Sequence, residues 1–122
     1  MADQRRIVLL DDDADLRDAL CDMFVLLGAD CLALASLAEM TSAADRVLAC
    51  DLAILDVNLG EGQPSGVDAH DWLRRGRFGG RVVFLTGHAP SNPAVARAAT
   101  LGVRVLTKPI GTDELRALVA GA

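Results

Sequence analysis

With 122 residues, 52% of them hydrophobic and 24% charged, the chain has the material for one continuous core, and its composition excludes a disordered or fibrous protein. Its 12 Lys and Arg against 17 Asp and Glu leave a formal net charge of -5, which argues against a surface built for nucleic acid. No apolar run is long enough to span a bilayer, and MADQRRIVLL lacks the length and cleavage site of a signal peptide. A cytoplasmic single domain over residues 1–122 is therefore expected.

Arg5 and Arg6 lead into Ile7 to Leu10, an apolar run without alternation that stops on Asp11, Asp12 and Asp13. Such a run reads as a strand buried on both faces of a parallel sheet. From Ala14 the period becomes helical, with Leu16, Leu20, Met23 and Leu27 on one stripe. Asp13 is suited to cap this helix and Gly28 to close it. Asp30 to Ala35 reads as a second strand, followed by one helix capped by Ser36 and running to about Leu48.

The segment DLAILDVN, Asp51 to Asn58, repeats the buried-strand pattern at Leu52 to Leu55 and ends on the carboxylate of Asp56. The loop Gly60 to Gly66 has the glycines of a phosphate-binding loop without the Gly-Lys-Ser/Thr that would follow, and reads as flexible punctuation. A short helix from Val67 to Arg75 comes next. Arg81 to Leu85 is another strand, ending on Thr86, Gly87 and His88. Asn92 and Pro93 start a helix that reaches about Leu101. Val103 to Leu106 is the last strand, closed by Thr107, Lys108 and Pro109. Thr112 is placed to cap a final helix whose stripe is Leu115, Leu118 and Val119.

Five strand–helix units in succession imply a parallel sheet with right-handed crossovers and helices on both faces. In such a sheet every strand's carboxyl end points the same way, and ligands bind there. Asp11 and Asp12, Asp56, Thr86 and Lys108 all follow strand ends, so they are expected at one rim. Three carboxylates brought together repel unless a cation neutralises them, and an all-oxygen set suits Mg²⁺. An aspartate can attack phosphorus, while a cation, a lysine and a hydroxyl take the transferring oxygens.

In this order and at this spacing, Asp11 with Asp12, the strand-end Asp56, Thr86 before a small residue, and Lys108 with Pro109 resemble the receiver domain of bacterial two-component response regulators over essentially the full chain. The resemblance implies a flavodoxin-like, doubly wound five-stranded sheet of order 2-1-3-4-5. It further implies that Asp56 accepts a phosphoryl group from a sensor histidine kinase or a histidine phosphotransfer protein. Asp11, Asp12, Asp56 and the backbone carbonyl of Asn58 would hold Mg²⁺, Lys108 would bind the phosphoryl oxygen across a cis bond to Pro109, and Thr86 would swing toward the phosphate. The implied role is a single-domain phospho-acceptor rather than an enzyme. It would act on a downstream protein by contact, with neither nucleic acid nor membrane.

Three positions depart from the family pattern. Val105 stands where an aromatic residue usually rotates with the threonine. Gly60 replaces a proline, and Gly66 comes about two residues late. Asn58 and His88 occupy the positions two beyond Asp56 and Thr86 that tune hydrolysis in the family. Val105 and the altered loop favour the alternative of a degenerate receiver that docks partners without phosphorylation. A third reading, suggested by Asp56, Val57 and Asn58, is a small metal-dependent phosphatase.

The remaining conspicuous residues have simpler readings. Asp13 reads as a cap rather than a ligand. His88 reads as a loop residue, His70 as an exposed helical one, Trp72 as packing, and Arg74, Arg75 and Arg77 as a solvated helix end. Cys21, Cys31 and Cys50 match no zinc spacing, and their odd count suggests no disulfide framework. All three are expected as buried small hydrophobes.

Overall fold

The computed structural model describes residues 4–87 and 92–121. The elements in order are β1 (Arg6–Leu10), α1 (Ala14–Leu26), β2 (Asp30–Leu34), α2 (Leu37–Ser42), α3 (Ala44–Leu48), β3 (Leu52–Asp56), α4 (Gly66–Arg75), β4 (Arg81–Thr86), α5 (Pro93–Ala99), β5 (Arg104–Thr107) and α6 (Thr112–Ala120). The strands form one parallel sheet ordered β2-β1-β3-β4-β5.

The apolar runs lack alternation because both faces of the sheet are covered. Val8, Leu10, Ala53, Leu55 and Phe84 pack on one side against α2 to α5, through residues such as Met40, Val47, Leu73 and Val95. Their immediate neighbours Ile7, Leu9, Leu52, Ile54, Val83 and Leu85 point the other way, onto Leu20 and Phe24 of α1 and Leu115 and Leu118 of α6. β3, central in the sheet, is buried at every position. Full burial of one such Leu or Ile stabilises by about 1.5–3 kcal/mol, so the two layers together supply the driving force that aligns the strand ends.

Local sequence sets the helix boundaries. Asp13 Oδ1 accepts from the backbone N–H of Asp15 and Leu16, as its position predicts. Asn92 caps α5 in the same way, with Pro93 behind it. Ser65 and Asp68 form a reciprocal capping box at the start of α4.

Several expectations require correction. The single helix expected from Ser36 to Leu48 is two short ones, hinged at Ala43 with φ -109° and ψ 27°. Thr41 and Ser42 are weak helix formers at that point, and Thr41 Oγ1 bonds back to the Ala38 carbonyl. The last helix is capped by Gly111, so Thr112 is its first residue and Glu114 reaches back to the Gly111 N–H. His70 is buried, with its ring 5.6 Å from that of Phe84. The expectation of an exposed His70 ignored that its neighbours Val67, Ala69 and Leu73 are buried too, which makes the core-facing side of α4 broad.

The cysteines also differ from expectation. Cys50 is free and buried, but Cys21 of α1 and Cys31 of β2 form a disulfide, with Cα atoms 5.6 Å apart. Counting cysteines does not show that the turn after α1 folds the helix back beside the next strand. His88 lies outside the described residues.

Candidate functional site

Strand register brings the candidate residues to one rim. Leu10 pairs with Leu55 and Asp56 with Leu85, so Asp11 and Asp56 leave adjacent strands at nearly the same level. Thr86 pairs with Thr107, and beyond them the Lys108 N–H donates to the Thr86 carbonyl at 2.8 Å. The peptide bond from Lys108 to Pro109 is cis.

Asp11, Asp12 and Asp56 each offer a carboxylate oxygen within 4.8 Å of the other two. Asp11 and Asp56 are buried, whereas Asp12 faces solvent. The Lys108 ammonium lies between the buried pair, with Nζ 3.0 Å from Asp56 Oδ2 and 3.1 Å from Asp11 Oδ2. Backbone donors hold the acids in place. The Asp13 N–H donates to Asp11 Oδ1 at 2.9 Å, and the Asn58 N–H donates to Asp56 Oδ1 at 3.3 Å. Arg17 donates to the Asp11 carbonyl at 2.8 Å, tying α1 to the rim.

Burial first, and the Asp11 carboxylate second, push the Asp56 carboxyl up to about 7; Lys108 opposes both without cancelling them. The Lys108 ammonium is itself held above its usual range by the two carboxylates, against the opposing pull of its own burial. With both acids ionised, a lysine between them leaves one negative charge over. The excess charge and the converging oxygens fit a divalent cation chemically, as an oxygen-only donor set suits Mg²⁺.

An open cleft of about 460 Å³ lies over this group, lined by Asp12, Asp13, Asp56, Asn58, Gly60, Glu61 and Lys108. The Asn58 side-chain Nδ2 is buried there without a hydrogen-bond partner among the described residues, so the rim carries an unused donor beside the acids. Nothing in the sequence signalled that orphan donor. Thr86 is buried at the end of β4. Val105 is half-buried, packed against the core layer that contains Phe84. Asp13 is occupied as a helix cap.

The loop that follows Asp56 is tied back tightly. The Gly66 N–H donates to the Val57 carbonyl at 2.9 Å, and a Cβ at Gly66 would collide with the Asp56 carbonyl oxygen. Gly60 has φ 107° and Gly62 φ 75°, conformations that favour glycine, so the loop's glycines serve its path.

Known proteins share this fold. No curated protein sequence matches the chain significantly. Among solved structures, it is similar to a CheY-like response regulator receiver domain from Methanospirillum hungatei. The TM-score is 0.82 at 20% identity, covering 98% of this chain and 93% of that one. The signal receiver domain of a LuxO repressor protein from Vibrio parahaemolyticus gives 0.78 at 24% identity, covering 96% and 88%. A Burkholderia pseudomallei response regulator, solved with a phosphorylated aspartic acid and a calcium ion, gives 0.77 at 21% identity, covering 95% and 66%. These likenesses share the flavodoxin-like fold, and the family model for the response regulator receiver domain matches residues 7–120, so the chain belongs to the receiver-domain family of response regulators.

Proposed function

We propose that this protein is a phospho-acceptor that takes a phosphoryl group on Asp56 from a phosphohistidine of a sensor histidine kinase or a histidine phosphotransfer protein. In this reading it works in the cytoplasm and passes the signal on by protein contact. The observation that carries the proposal is Lys108 Nζ held 3.0 Å from Asp56 Oδ2 at the mouth of an acidic cleft.

The carboxylate oxygen of Asp56 attacks the phosphorus in line. The new O–P bond forms as the N–P bond breaks, and the donor imidazole leaves with a proton from solvent. Lys108 neutralises one phosphoryl oxygen as a point charge. The Thr86 hydroxyl and the orphan Asn58 amide are further donors for the remaining oxygens. Asp11, Asp12, Asp56 and the Asn58 carbonyl are the residues proposed to hold Mg²⁺, which when bound supplies charge neutralisation at the phosphoryl group. A cation in that set also favours the ionised Asp56 that attack requires. The solved Burkholderia relative with a phosphorylated aspartic acid and a calcium ion supports both halves of this reading.

Incubation with acetyl phosphate and Mg²⁺, followed by intact-mass measurement, tests it. One phosphoryl adduct is expected, absent with chelator and absent in Asp56→Asn. An adduct that survives Asp56→Asn, or none at all in the wild type, overturns the proposal.

A further inference from the structure

At the opposite end of the sheet from the acidic cleft, the amino ends of β4 and β5 and the last turns of α4 enclose an open groove of about 490 Å³. Three arginines border it, Arg74 from α4, Arg81 from the first residue of β4 and Arg104 from the first residue of β5, and no acidic residue among those described does. The clustering runs against the chain's net charge of -5. Arg74 and Arg104 are exposed, and neither forms a salt bridge among the described residues. Arg81 donates to the Gly121 carbonyl at 3.5 Å.

The rest of the lining is largely apolar. Leu73 is fully buried at the base, while Phe78, Val82 and Val103 are half-buried along the sides. Charge at the edge with apolar surface beneath is the composition of a protein-docking surface rather than of a lone anion site. The volume is also far larger than an inorganic anion fills.

We infer that this groove docks an extended acidic segment of a partner protein, with carboxylates meeting Arg74 and Arg104 and an apolar side chain seated over Leu73 and Phe78. β5 is the last strand of the described sheet, the kind of position at which sheets take up a neighbouring chain. Nucleic acid is disfavoured because the groove pairs three arginines with an apolar base and carries no extended basic stripe. None of the groove's lining residues borders the acidic cleft.

Fluorescence anisotropy with a labelled peptide of alternating Glu and Leu tests the inference on the intact chain. Binding is expected to weaken about tenfold or more in Arg74→Glu/Arg104→Glu and to fall with added salt. Arg46→Glu/Arg97→Glu, an equal charge change at exposed positions on α3 and α5, should leave it within about twofold. Circular dichroism checks that the variants fold, and Arg74→Gln/Arg104→Gln repeats the test should the reversal not fold. Equal affinity in the Arg74 and Arg104 variants overturns the inference. So does peptide binding no tighter than that of a Ser/Leu control, or tighter binding of a single-stranded oligonucleotide through the same arginines.

Discussion

The Lys108 ammonium stands 3.0 Å from the Asp56 carboxylate although the two residues are 52 positions apart in sequence, and the same nitrogen is 3.1 Å from Asp11. One cation thus holds two buried acids together, and removing it leaves them facing each other unscreened.

Lys108→Ala should destabilise the metal-free protein by about 1–3 kcal/mol at neutral pH, the usual result of stripping a partner from buried charge. Urea unfolding in chelator measures this. Added Mg²⁺ should restore part of the loss, and the rate of acetyl phosphate labelling should still fall well below wild type.

The raised pKa of Asp56, about 7 against an ordinary 3.8, gives a pH signature. The folded state holds the proton more tightly than the unfolded chain, so this group's contribution to stability is fully present below about pH 4 and is lost as pH rises through 7. Asp56→Asn should therefore match wild type in stability near pH 4 and exceed it above pH 7, measured without metal by chemical denaturation. A constant difference across that window would remove the raised Asp56 pKa, and with it the account by burial first and Asp11 repulsion second.

Gly66→Ala should distort the loop behind Asp56, because its added Cβ collides with the Asp56 carbonyl and lies 3.1 Å from the Val57 Cα. A loss of about 1–3 kcal/mol is expected from such overpacking. Gly79→Ala is the control. An added Cβ there would meet nothing within 4 Å, and the residue has no positive φ, so the change should be close to neutral in thermal unfolding.

The Cys21–Cys31 disulfide closes a loop of sequence separation 10. On the chain-entropy account it stabilises by about 2–3 kcal/mol. Reduction, or Cys31→Ser, should lower the stability measured by denaturant unfolding by that amount, while Cys50, which is free, should not contribute. Thiol counting under denaturing conditions with and without reductant gives the direct check, with one free thiol expected in the oxidised chain.

Element type and order could be read from the chain because the physics there is local. Unalternated runs such as Leu52 to Leu55 demand burial on both faces, and caps such as Asp13 and Asn92 satisfy backbone donors within three residues. A parallel sheet then forces Asp11, Asp12, Asp56, Thr86 and Lys108 toward one end, whatever the side-chain details. What the tertiary structure alone decided are relations between segments: Lys108 bridging two acids, His70 turned onto Phe84, Cys21 reaching Cys31, and the orphan amide of Asn58. These depend on strand register and helix packing, where a shift of one residue turns a side chain to the opposite face, and no local pattern encodes that alignment.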